Sequence, residues 1–404
     1  MSADRPKLRK IERHRLRRGG EDLLVLRDPL GVAEPVALPA ETAAILDLLD
    51  GQRTATQLRH SLLLRGGPRF AADEVAALIE DLGDGFFLED DAFRERWAEV
   101  LADFLAASTR SAAHADVLYP ADPRELRGLL GEFLGEPGER LVVGADVLGV
   151  VTPHQPFERA GGLLDATLRG LPSAADLDLV VVLGTDHHPG LVPVVATAKA
   201  FETPLGEVRA DAALVADLDA RLPWLRREEI RHRQAISVEV AAILLRHLYP
   251  EPPPILPLLC GQTALFGGDG TPAVEDFLGA MEQVLAGRRV LFWASAELTH
   301  AGPAYGQRPL AADAEAALVQ RDRWLVDPLL HGQPDALARR LVDEDPALGR
   351  PSGAAAIVTF ARLLPVGVRG SLAAQVVAPA PGAEAGLAGL VGVRMYRPGA
   401  ASGA

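Results

Sequence analysis

Histidines stand at three places where an apolar run gives way to polar residues. "GVVTPHQPF" closes on His154, "VVVLGTDHHPG" on His187 and His188, and "VLFWASAELTHAG" on Glu297, Thr299 and His300. Each run is short and apolar, as a buried strand is. Side chains just past strand ends gather at one edge of an α/β sheet, where ligands collect. Imidazole nitrogens suit iron, copper and zinc, and two histidines with one carboxylate form an open iron site. Each histidine alone also has a plainer reading, as the hydrogen-bonded polar end of a buried strand. His14, in the basic tail, His60, on a helix, and His247 and His331, near helix ends, read as structural or solvated, and Cys260 reads as a buried small hydrophobe.

The elements that would position these residues follow from length and pattern. At 404 residues the chain is too long for one ordinary core, so about two to three domains are expected. A net charge of -14 argues against general nucleic-acid binding. A single cysteine allows no internal disulfide and fits a reducing cytoplasm. No apolar run approaches the roughly 20 residues of a membrane span. The N-terminus carries eight Lys/Arg in its first 18 residues but no apolar segment behind them. It reads as a solvated basic tail, able to touch an acidic partner, and not as a secretory signal. "GGDGTP" (267–272) reads as a loop.

Residues 21–40 suggest a small β element. Ala43, Ile45, Leu48 and Leu49 share a helical face that Gly51 ends. "TATQLRHSLLLRG" and "AADEVAALIEDLGDGFFLED" predict two more helices and a closing strand. Strand, three helices and strand make a winged-helix layout. "LLDGQRTATQL" and "LIEDLGDGFFLED", within roughly residues 15–90, resemble the PqqD family. That resemblance implies a winged-helix module holding the leader of a peptide substrate by strand addition. Other winged helices bind DNA, but "LEDD" and the lack of a basic recognition helix oppose that here. The expected organisation is a PqqD-like domain with its basic tail at 1–90, a helical connector at 91–111 and an α/β domain at 112–396. Phe93, Trp97, Val100, Leu101, Phe104 and Leu105 give the connector one apolar stripe, expected to pack between domains. In the α/β domain, "VLGVVTP", "LDLVVVLGT", "PPILPLLCG" and "RVLFWASAE" read as strands of a sheet covered on both faces.

Seven segments of this domain occur in the order of the Memo family. They are "AHADVLYPADPRELRGLLGEFL", "GVVTPHQPFERAG", "VVLGTDHH", "TPLGEVRAD", "ISVEVAAILL", "PILPLLCG" and "ASAELTHAGPAYG". They resemble the family's "HAG-x-WYPA", "PHAGY", "LGPSHH", "TPLG-x-v-x-D", "EHSIEV", "PILVG" and "SSDFSHYG". With the PqqD-like part, the chain resembles a variant of AmmeMemoRadiSam system protein B. The resemblance implies a fold shared with class III extradiol dioxygenases, a central sheet flanked by helices, with a metal pocket at the motif histidines. His154 matches the first family ligand and His187 the second. Thr299 occupies the third ligand position, a cysteine in animal relatives and a serine in many bacterial ones. Glu297 stands at the family's Asp, and His300 matches the acid/base histidine. Asp186, His188, Glu239 and His114 are the expected supporting residues, Asp186 as an acceptor that orients an imidazole. The chain departs from the pattern at "PHQPF", at Asp186, at Thr299 and at Ile236, which replaces a histidine.

Two functions remain open from sequence. One is a cytoplasmic, dioxygenase-like, metal-dependent oxidoreductase that uses iron or copper, with zinc as a third candidate. It would act on a peptide or protein held by the PqqD-like domain, with a radical SAM enzyme as partner and with neither nucleic acid nor membrane involved. The other is a non-catalytic scaffold that recruits a peptide and carries a degenerate metal pocket. The sequence does not give the oligomeric state.

Overall fold

The computed structural model describes residues 5–188, 190–267, 272–342, 351–380 and 385–400. The chain divides into two compact units, one up to residue 106 and one from residue 107. The centre of the "GGDGTP" segment, 268–271, lies outside the described residues.

The first unit runs β1 (Glu12–Arg18), β2 (Glu21–Arg27), β3 (Val36–Pro39), α1 (Ala43–Leu46), α2 (Ala55–Leu64), α3 (Ala72–Asp84) and α4 (Asp91–Ala106). Its three strands form an antiparallel sheet in the order β1-β2-β3. Leu24, Leu26, Ile45, Leu48, Leu58, Leu62, Val75 and Leu82 are among the residues of its core. Thr54 caps α2 in a reciprocal box, accepting from the Gln57 backbone while the Gln57 side chain accepts from its own, as the sequence before the apolar run suggests.

Three expectations for this region change. The basic tail is a strand, because Glu12–Arg18 pairs residue for residue with Glu21–Arg27, though the side chains of residues 12–17 stay exposed. The closing strand shrinks to one bridge, Leu8 with Leu88. The connector is split, with Asp91–Ala106 grouped in the first unit and Thr109–Arg110 a strand of the second. Of its apolar stripe, Val100 and Phe104 are buried while Leu105 is 57% exposed.

The second unit runs β4 (Thr109–Arg110), α5 (Pro123–Leu134), β5 (Leu141–Val142), β6 (Val147–Thr152), α6 (Phe157–Leu168), β7 (Leu171–Pro172), β8 (Leu179–Thr185), β9 (Val194–Ala196) and β10 (Ala200–Phe201). It continues with α7 (Ala212–Arg221), α8 (Ile236–Leu248), β11 (Ile255–Cys260), α9 (Thr263–Phe266), α10 (Val274–Leu285), β12 (Val290–Ser295) and β13 (His300–Ala301). It ends with α11 (Ala314–Leu330), α12 (Pro334–Val342), α13 (Ala354–Leu363), β14 (Arg369–Pro379) and β15 (Leu387–Tyr396). The main sheet has the order β13-β15-β6-β12-β8-β11-β9, with β14 on β15. Strands β6, β12, β8 and β11 run parallel, and β9 and β15 border them antiparallel.

Every residue of the four parallel strands is buried, which explains their unbroken apolar runs. Helices α8 and α13 cover opposite faces. A Cβ on Gly149 would strike Phe360 of α13, and one on Gly184 would strike Ser237 and Val238 of α8. Gly149 and Val181 both align with Phe292, so they share a face that Gly184, three residues beyond Val181, does not. The result is a central mixed sheet flanked by helices.

Candidate functional site

Strand register builds the site. Ser295 pairs with Thr152 on one side and Gly184 on the other, so β6, β12 and β8 end together. His154, Glu297 and His187 each follow within two residues of those ends. Hydrogen bonds tie the ends to one another. The Thr185 hydroxyl donates to the Ser295 carbonyl at 3.0 Å, and the Trp293 indole to the Thr152 hydroxyl at 2.8 Å.

The Nε2 atoms of His154 and His187 face each other at 2.9 Å, with the rings edge to face. His154 is buried, and burial pushes its imidazole down from the ordinary value; the crowded ring of His187, a residue that keeps an exposed face, is lowered as well, so both are neutral at physiological pH. Nδ1 of His154 is buried without a hydrogen bond. Glu297 comes from the middle strand. Its Oε1 accepts from the His154 backbone N–H at 3.3 Å and lies 3.8 Å from His154 Nε2. Its Oε2 is bonded to the Gln155 amide at 2.8 Å and to His300 Nε2 at 3.2 Å. Burial raises the Glu297 carboxyl, but it is held below the ordinary carboxylate range by the groups around it, among them the hydrogen bonds from His300 and Gln155.

After β12 the chain is pinned to β15, with Leu298 N–H donating to the Gly389 carbonyl and Gly389 N–H to the Thr299 carbonyl at 2.7 Å. That pairing starts β13 at His300. His300 stacks edge-on against Tyr305 at 4.7 Å between ring centroids, and burial raises the Tyr305 phenol to about 12. The Thr299 hydroxyl turns away and donates to Asp322 Oδ1 of α11 at 2.6 Å. Asp322 is fully buried, and burial lifts its carboxyl to about 6. Gly389 is required here, because a Cβ would come within 1.7 Å of Asp322 Oδ2.

His154, His187, Glu297 and His300 therefore come together, while Thr299 is committed to Asp322. Asp186 does not serve an imidazole as expected. Its carboxylate pairs with the Arg231 guanidinium and caps the His188 backbone N–H at 2.9 Å. Glu239 and His114 form a separate buried cluster. Glu239 pairs with Arg110, accepts from the Tyr119 hydroxyl, and takes the backbone N–H groups of Ala113 and His114 at 3.1 and 3.0 Å. His114 Nδ1 lies 3.3 Å from the same carboxylate. Burial works against the charge, yet Arg110 and these donors bring Glu239 down to about 2. His232 does not replace the histidine lost at Ile236, since its Nε2 bonds the Val195 carbonyl at 3.0 Å. Cys260 is buried, as expected, with its thiol raised to about 12.

Sequence reasoning missed Gln155, Asp322, Arg110 and Arg231 as partners. Gln155 had a signal in the altered "PHQPF". Asp322 and Arg231 had none, because each meets its partner only after helices pack.

Two imidazoles and a carboxylate are the donor set that divalent first-row metals accept. Both rings are neutral, as ligation requires, and two nitrogens already converge. The residues fit a metal by type and by this convergence. Among the described residues no group of three or more His, Cys, Asp or Glu side chains is placed to hold a metal ion, and Glu297 Oε1 lies 3.8 Å from His154 Nε2.

A covered mixed α/β sheet with a polar site at its parallel strand ends defines the class of the second unit. The family profile of Memo-like proteins matches residues 110–363, more than half of the chain, and the chain belongs to that family. It is 25% identical over 287 residues to a MEMO1 family protein of Aquifex aeolicus, covering 70% of this chain and 74% of that one. It is 26% identical over 287 residues to one of Thermus thermophilus, covering 70% and 82%. It is 30% identical over 207 residues to one of Methanopyrus kandleri, covering 48% and 70%. No helix of the described residues is long and apolar enough to cross a membrane.

Proposed function

We propose that the strand-end site of the second unit binds iron, copper or zinc and serves a dioxygenase-like oxidoreductase. The observation that carries this reading is the pair of neutral imidazole nitrogens, 2.9 Å apart, beside the Glu297 carboxylate. His154, His187 and Glu297 would hold the ion, and Thr299 would not. When bound, the ion supplies Lewis acidity and, as iron or copper, redox chemistry with dioxygen. His300 is partly exposed, meets Glu297 through Nε2, and is placed to move a proton between that carboxylate and a substrate. His154 is buried and kept unprotonated, while His187 is exposed and leaves the pair open to a ligand from solvent.

The substrate in this reading is a peptide or protein in the cytoplasm, modified together with a radical SAM partner. The first unit serves as a PqqD-like winged helix that holds the peptide's leader. The support is β1, which stands at the edge of its three-stranded sheet, the position where strand addition takes place. A tethered leader raises the local concentration of the segment to be modified. The extradiol dioxygenase likeness of the second unit belongs to the same proposal, supported by the helix-flanked sheet.

A second reading, a peptide-recruiting scaffold without catalysis, is favoured by two observations. The Thr299 hydroxyl is spent on Asp322, and Ile236 stands where the family pattern has histidine. Metal content by mass spectrometry on anaerobically purified protein separates the two. One ion per chain, lost in His154→Ala and His187→Ala, is the expected result. No metal after reconstitution with each ion would leave the scaffold.

A further inference from the structure

The family pattern has Ala after the histidine of "PHAGY" and Asp in its seventh segment, "SSDFSHYG". This chain has Gln155 and Glu297 there, both longer, and the two meet in a 2.8 Å hydrogen bond. We propose that Gln155 is a positioning residue that fixes which oxygen of Glu297 faces the imidazole pair. The inference rests on the metal reading above.

A glutamate's terminal torsion is broad and nearly two-fold, so an unrestrained carboxylate presents either oxygen. Here Oε2 is saturated by Gln155 and His300, while Oε1 takes one longer bond from the His154 backbone and points along His154 Nε2. The Gln155 amide donates without ionising, so its hold does not vary with pH. Because Gln155 follows His154 directly, the same strand end sets the imidazole and orients the carboxylate. Outer-shell partners of this kind typically change metal affinity by about 10–100-fold.

The test is anaerobic Co²⁺ titration of the full chain, read by visible d–d absorption and by competition with a chelating dye. Gln155→Met keeps the volume and removes the donor, and Gln155→Ala restores the family's residue. Both are expected to weaken Co²⁺ binding by about 10-fold or more and to shift the absorption bands. The metal-free melting temperature is expected to stay that of the parent. Parent-like affinity and spectrum in both variants, with binding still lost in His154→Ala, overturn the role of Gln155 alone. No Co²⁺ binding by the parent overturns this inference and the metal reading together.

Discussion

His154 and His187 stand on strands that are not neighbours, yet their Nε2 atoms meet at 2.9 Å across the end of β12. The strand between them contributes Glu297 to the same spot. Three parallel strands ending in register thus bring together residues more than a hundred positions apart. This is the edge at which covered α/β sheets hold ligands, and here it is lined by unprotonated nitrogen and one carboxylate.

Buried neutral histidines make the fold acid-sensitive. His232, fully buried, is held at about 3 by that burial, against an ordinary value of 6.5. A lowered folded value gives stability that is present above 6.5 and lost as pH falls toward 3. Each such group is worth about 1.4 kcal/mol per pH unit in that window, or about 2 kcal/mol between pH 7 and 5. His232→Gln leaves a donor for the Val195 carbonyl and removes one titrating group. Urea unfolding at pH 7 and 5 should show a smaller acid loss in the variant, by about 2 kcal/mol. Equal losses would mean His232 titrates normally.

Asp322 behaves in the opposite sense. Burial raises its carboxyl from 3.8 to about 6. A raised folded value means its contribution is fully present below 3.8 and declines as pH rises through 6. Asp322→Asn keeps an acceptor for Thr299 without the buried charge. The variant is expected to exceed the parent in stability at pH 8, by up to about 3 kcal/mol, and to lose that advantage by pH 4. A variant less stable at pH 8 would show that the charge is compensated by more than Thr299.

The strands and the histidine clusters were legible because their signals are local. Apolar runs such as "LVVVLGT" read as buried strands, and polar residues just beyond them read as a strand-end cluster. The ordered motifs gave the family. The supporting residues were not legible, because they depend on which helix packs where. Asp186 faced Arg231 and not an imidazole, and Glu239 was drawn into the Arg110 cluster. In the first unit the basic tail lacked an apolar face, so periodicity could not reveal that β1 pairs through its backbone with β2.

The Arg110 cluster is structural. Glu239 neutralises a guanidinium that is 1% exposed and also reaches the carbonyls of His232 and Ala235. Glu239→Gln leaves that cation buried without its counter-charge, at a cost of about 3–5 kcal/mol. Thermal unfolding should show the transition of the second unit lowered or absent. A melting temperature unchanged from the parent would mean that Arg110 finds another anion or water.

Ligation should also appear as stability. An ion that binds only the folded site stabilises it by about 2.7 kcal/mol at a hundred times its dissociation constant. Melting of the parent with added Fe²⁺, Zn²⁺ or Co²⁺ should therefore shift upward, and a chelator should reverse the shift. His187→Ala removes one of the two facing nitrogens, and Thr299→Ala removes only a hydroxyl already donated to Asp322. The shift is expected to vanish in the first variant and to survive in the second, even though loss of the Thr299 bond lowers the metal-free baseline by about 1–3 kcal/mol. A shift lost in Thr299→Ala and kept in His187→Ala would move the metal away from the imidazole pair and onto the position that Thr299 holds.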